Sequence, residues 1–135
     1  MKILFNPLMP IDLKEANTVS DYQSDMVFHG LVKRLGQNVH TDYNLWWHRK
    51  SEKEQNPKRF NEIWGNGFTV YGLLEEEEYI YLPSSGLDIY DAIIIPIHHT
   101  MNKQDKYLKN LLDVFIKIGY EKKQIIVIDG WDQEY

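Results

Sequence analysis

The chain is expected to fold as a three-layer α/β domain with a mostly parallel sheet, and three observations lead there. Lys2-Ile3-Leu4-Phe5, the run from Ala92 to Ile97 and Ile125-Ile126-Val127-Ile128 are short and apolar without polar alternation, as strands buried on both faces are. Each ends abruptly in polar residues: Asn6, His98-His99 and Asp129. Between the last two runs lies an amphipathic helix pattern, so that stretch reads strand, helix, strand, a βαβ unit whose crossover should be right-handed.

The elements follow in order. Strands are placed near residues 2–6, 92–97 and 124–129. Asn6–Val19, with two prolines, reads as a long loop of the sort that often carries function. Ser20-Asp21-Tyr22-Gln23 has the form of a capping box, with Ser20 as the cap, so a first helix is expected from about Asp21 to Leu35. Phe28, Leu31, Val32 and Leu35 give it one apolar face, and Gly36 can close it. Val39–Tyr43 reads as a weaker strand, interrupted by His40 and Asp42 and suited to a sheet edge. Trp46-Trp47 reads as an exposed aromatic pair that would favour self-association or, alternatively, as two indoles packed on their own domain, and the charge-dense Arg49–Arg59 as a loop or exposed helix.

Phe60–Trp64 suggests a short helical turn before the bend of Gly65-Asn66-Gly67. Phe68–Tyr71 alternates and favours β structure. Glu75–Glu78 is best explained as solvated surface, because like charges prefer water. Tyr79–Leu82 is a short strand or extended segment, stopped by Pro83. Leu108, Leu111, Leu112, Phe115 and Ile118 set the apolar stripe of a helix over Gln104–Ile118, ended by Gly119.

Composition narrows the function. A length of 135 residues with 43% hydrophobic content supports one domain spanning 1–135 with a real core. The formal charge of −5 and a pI near 5.5 argue against nucleic acid and anionic membrane as partners. With no cysteine, there is neither a disulfide framework nor a thiolate site. The apolar N-terminal run is broken at once by Asn6-Pro7 and is too short for a secretory leader, so a cytoplasmic protein is expected.

The parallel strands should deliver Asn6, His98 and Asp129 to one edge, where ligands of open α/β sheets bind. An imidazole there can act as base near neutral pH, which makes His98 a catalytic candidate, with His99 beside it turned to the opposite side. Asp129 and Asp132 flank Gly130 and Trp131. They could share a metal or hold polyol hydroxyls, or Asp129 simply orders the turn. No spacing matches a specific metal signature, and none is assigned. Asp21, Asp25 and His29 recur a turn apart on the first helix as further ligand-side groups, although acids near a helix start are favoured by its dipole alone. The turn after the first strand is neither G-x-G-x-x-G nor a P-loop, so no cofactor is expected there, and no G-x-S-x-G is present.

Asp21-Tyr22-Gln23-Ser24-Asp25-Met26-Val27-Phe28-His29-Gly30-Leu31, followed much later by Ile128-Asp129-Gly130-x-Asp132, resembles the N-terminal portion of bacterial and phage proteins described as glycosyltransferase-like. The resemblance implies a Rossmann-like domain on the acceptor side of a two-domain transferase. A second, C-terminal domain would grip the sugar nucleotide, and its absence from this sequence implies incomplete catalysis by this chain alone. Two expectations result: an acceptor-side domain with His98 or Asp129 as base, or a non-catalytic binding or assembly module on the same fold. A saccharide or nucleoside-like ligand suits the polar edge, with Trp131 available to stack on a sugar. Only two long amphipathic helices are evident for a sheet that needs cover on both faces, which points to a homo-oligomer or to the missing domain.

Overall fold

The computed structural model describes residues 1–9, 21–63, 70–83, 89–98 and 106–129. The expectations for Ser20, Gly65–Thr69, His99, Gly130, Trp131 and Asp132 lie outside them.

Five strands form one sheet: β1 (Ile3–Phe5), β2 (Val39–Thr41), β3 (Ile80–Tyr81), β4 (Ala92–Ile97) and β5 (Ile125–Asp129). Every pairing is parallel and the order is β3-β2-β1-β4-β5, so the fold is Rossmann-like α/β as expected. Four helices accompany them among the described residues: α1 (Tyr22–Leu35), α2 (Lys50–Gln55), α3 (Pro57–Asn61) and α4 (Lys106–Ile118). β2 is not an edge strand. It lies between β1 and the two-residue β3, which falls within the Tyr79–Leu82 segment expected as a short strand. His40, one of the apparent interruptions, is buried with Nδ1 3.1 Å from the Tyr90 hydroxyl.

The period of two divides the strands between two cores. Ile3, Phe5, Val39 and Ile94 face α1, where Phe28 and Val32 meet them together with Trp46, Trp47, Phe60, Leu74 and Tyr79. Leu4, Ile93 and Ile95 face the other way, toward Phe115 of α4 and the half-buried Leu108, Leu111 and Leu112. Asp21 is the observed N-cap of α1, its carboxylate accepting from the Ser24 N–H at 3.2 Å. Gly36 closes the helix at φ +56°, where a side chain would be strained, and its N–H bonds to the Val32 carbonyl.

Trp46 and Trp47 are not exposed: they are 4% and 0% accessible. A 3₁₀ turn over Trp46–His48 sends the two indoles in different inward directions. Trp46 packs edge-on to Phe60 beneath the Arg59 guanidinium, and Trp47 reaches α1. The indoles therefore carry no argument for self-association. Arg49–Arg59 is largely exposed helix, in α2 and the start of α3. The acidic run forms a solvent-facing 3₁₀ turn whose Glu75 and Glu78 pair with Lys50 and Lys33. Val70 and Tyr71, expected in a strand, lie at a turn.

Candidate functional site

The carboxyl ends of β1 and β2 leave the sheet in step, because Phe5 and Thr41 are register partners. The next residues, Asn6 and Asp42, therefore stand side by side, and the Asn6 amide donates to the Asp42 carboxylate. Asn6 is buried at 8% accessibility. Burial pushes the Asp42 carboxyl up to about 6, opposed only in part by a hydrogen bond from its own backbone. A carboxyl in that range exchanges its proton near neutral pH, as a general base must.

Asp42 was legible only as an interruption of a weak strand. Once β2 is known to run parallel beside β1, its position one residue past the strand marks it as a partner of Asn6.

Beyond Asn6 the chain does not turn away from the sheet. The Asn6 N–H bonds to the Ile94 carbonyl at 2.9 Å, the Leu8 N–H to that of Pro96 at 2.8 Å, and the His98 N–H to that of Leu8 at 3.1 Å. Leu8 thus continues the parallel pairing with Ile97 past Pro7. In open sheets of this order the ligand crevice opens between β1 and β4, where the connections diverge. Here that gap is zipped shut for two further residues, and the polar pair lies on its β2 side.

His98 emerges beside this extension at 1% accessibility. Asp129, opposite Ile97 in the ladder, is exposed at the end of β5. Asn6, His98 and Asp129 share the carboxyl edge of the sheet, with Asp42 added to them.

The acids of α1 have another setting. Asp25 is 3% accessible, and both of its oxygens are engaged by protein donors. One accepts from Trp47 Nε1 at 2.9 Å and lies 2.9 Å from His48 Nε2. The other accepts from the Tyr71 hydroxyl at 2.7 Å and from the Asp21 N–H at 3.3 Å. Tyr71 is brought there because the segment after it pairs with the 3₁₀ turn: Gly72 N–H to Trp47 O and Leu74 N–H to His48 O, at 2.8 and 2.9 Å. Gly72 makes this bend at φ +67°, where a Cβ would also strike the Lys53 side chain.

The carboxylate is thus the hub that ties α1 to the aromatic layer. No sequence spacing signals it, since its side-chain donors lie 22 to 46 residues away.

His29 sits mid-helix, and its pKa is lowered by burial and by the nearby His48 and Lys33, with Glu78 opposing. Glu78 precedes β3, so these neighbours draw His29 toward the amino ends of the strands. Asp21 is at the start of α1, engaged in capping. Among the described residues no three His, Asp or Glu side chains converge as a metal site would require. No helix among them is long and apolar enough to cross a membrane. Comparison of the chain with protein-family models, curated proteins and solved structures returned no match.

Proposed function

We propose that this chain is the acceptor-side domain of a glycosyltransferase-like enzyme, binding a saccharide or nucleoside-like ligand at the carboxyl edge of the sheet. The observation that carries the reading is the Asn6–Asp42 pair at the ends of two central strands, with the Asp42 carboxyl held near 6. An amide beside a carboxylate offers donor and acceptor together, which suits a hydroxyl. A carboxylate of that basicity accepts the proton a hydroxyl loses as it attacks. Asp42 therefore joins His98 and Asp129 as a candidate base.

Titration with sugars, nucleosides and nucleotide sugars, followed by amide NMR shifts, tests the reading. Shifts are expected at Asn6, Asp42, His98 and Asp129, and Asp42→Ala should abolish them. Shifts confined to the opposite edge of the sheet reject the location. A non-catalytic assembly module is the second reading, favoured by the apolar surface that β5 leaves exposed.

A further inference from the structure

Asp42 is a carboxylate without a counter-charge. The described segments that leave the strands beside it, 6–9 after β1, 42–45 after β2 and 82–83 after β3, hold one charged side chain, Asp42 itself, and no lysine or arginine. Arg49 bonds instead to the Asn44 side-chain oxygen, 2.6 Å from Nη2, and lies 3.7 Å from Glu52. The side-chain partner that Asp42 does have is neutral, the Asn6 amide. A cation in contact with the carboxylate would hold its pKa below the ordinary value, whereas burial raises it to about 6. At neutral pH the group is mostly ionised, so a half-buried anion stands at this edge with only a neutral side chain beside it. The Asn6 side-chain oxygen, meanwhile, accepts from none of the described residues.

Ligand groups would meet this pair differently. A phosphate is repelled. A hydroxyl can donate to the carboxylate but leaves its charge in place. An ammonium donates and neutralises together, through a charge-assisted bond about twice as strong as a neutral one. We propose that the ligand of the Asn6–Asp42 pair is an amino-bearing saccharide, with its ammonium on Asp42 and a neighbouring hydroxyl donating to the Asn6 side-chain oxygen. This assignment rests on the sugar-binding reading of the same pair and narrows it, selecting cationic saccharides and excluding phosphorylated ones. With its charge engaged by the ligand, Asp42 anchors the acceptor and leaves the part of base to His98 or Asp129. The net charge of −5 favours the same ligand at longer range.

Amide NMR titrations of the chain at about pH 7 and low salt, where surface charge is least screened, separate the candidates. The probes are glucosamine, glucose, N-acetylglucosamine, glucose 6-phosphate and methylammonium. Glucosamine should shift Asn6 and Asp42 with an affinity about tenfold above that of glucose or N-acetylglucosamine, the difference between a charge-assisted and a neutral bond. Glucose 6-phosphate and methylammonium should both bind more weakly than glucosamine by at least that factor. Asp42→Asn, which keeps the size of the side chain, should bring glucosamine down to the level of glucose. Lowering the parent protein to about pH 5 should do the same, because Asp42 is then mostly protonated. A neutral sugar bound as tightly as glucosamine would overturn the ammonium assignment while leaving the site in place. Methylammonium bound as tightly would remove the saccharide from it. If every sugar leaves Asn6 and Asp42 unmoved, the site itself falls, and the amino-bearing ligand with it.

Discussion

The face of the sheet under α1 and the face under α4 draw on the same strands but are covered unequally. Over the first, Phe28 alone stands edge-on to Tyr79 and His48 and tilted against Phe5, at centroid distances of 4.9 to 5.1 Å. Asp25 then fixes the layer from within by collecting an indole, a phenol, an imidazole and a backbone amide. Over the second, α4 contributes a single buried side chain, Phe115, and Ile126 and Val127 of β5 are exposed. The first side is specified by directional bonds that only one arrangement satisfies. The second is held by area, which is adaptable and leaves surface for a partner.

If that contrast is right, Asp25→Ala is the most damaging change. It removes the carboxylate that the buried Trp47, His48 and Tyr71 side chains share and should cost about 3–5 kcal/mol in denaturant unfolding. Asp25→Asn, which keeps one acceptor oxygen, should cost less. An Asp25→Ala protein as stable as the parent would break the comparison.

The two aromatic anchors sharpen it. Phe28→Ala should cost about 4 kcal/mol, near the upper end for a fully buried ring, and Phe115→Ala about 3 because its site can relax toward solvent. Equal losses would show that the α4 layer is as tightly packed as the aromatic one.

Asp42 supplies a pH-dependent test. Its folded pKa of about 6 lies above the ordinary 3.8, so the native state holds a proton that the unfolded chain has lost between those values. The favourable contribution is complete below about pH 4 and disappears as pH rises through 6, by at most about 3 kcal/mol. Subtracting the stability curve of Asp42→Asn from that of the parent should isolate this fall, against a background in which other carboxylates have their own slopes. A flat difference would mean that the Asp42 carboxyl is not held up by burial.

The smallest effect belongs to the open edge. Ile126→Lys should change the unfolding free energy by less than about 0.5 kcal/mol, as exposed substitutions do.

β1, β4 and β5 and their parallel order were legible because their runs lack polar alternation, and α1 and α4 because their apolar positions recur at helical spacing. The edge carrying Asn6, His98 and Asp129 followed from those strands. What escaped was set by contacts distant in sequence. β2 looked like an edge strand because His40 and Asp42 are polar, yet one lies against a tyrosine and the other against Asn6. Trp46-Trp47 looked exposed because charged residues follow it. A single 3₁₀ turn reverses that inference, and linear spacing does not announce such turns. Asp25 sits where the helix dipole favours any acid, so its role as a hub left no mark in the pattern.

The position of β1 has a temporal consequence. It is the first strand in the chain and the central one in the sheet, with β2 on one side and β4 on the other. The bond from Lys2 to Asp91, at the start of the β1–β4 seam, spans 89 residues. During synthesis, Ile3-Leu4-Phe5 and its extension to Leu8 must wait for most of the chain before their second neighbour exists. Non-local pairing of this kind slows folding and keeps an apolar segment in play meanwhile. The zipper from Asn6 to Leu8 that narrows the crevice is thus a late closure, so the polar edge beside it takes its final shape near the end of folding.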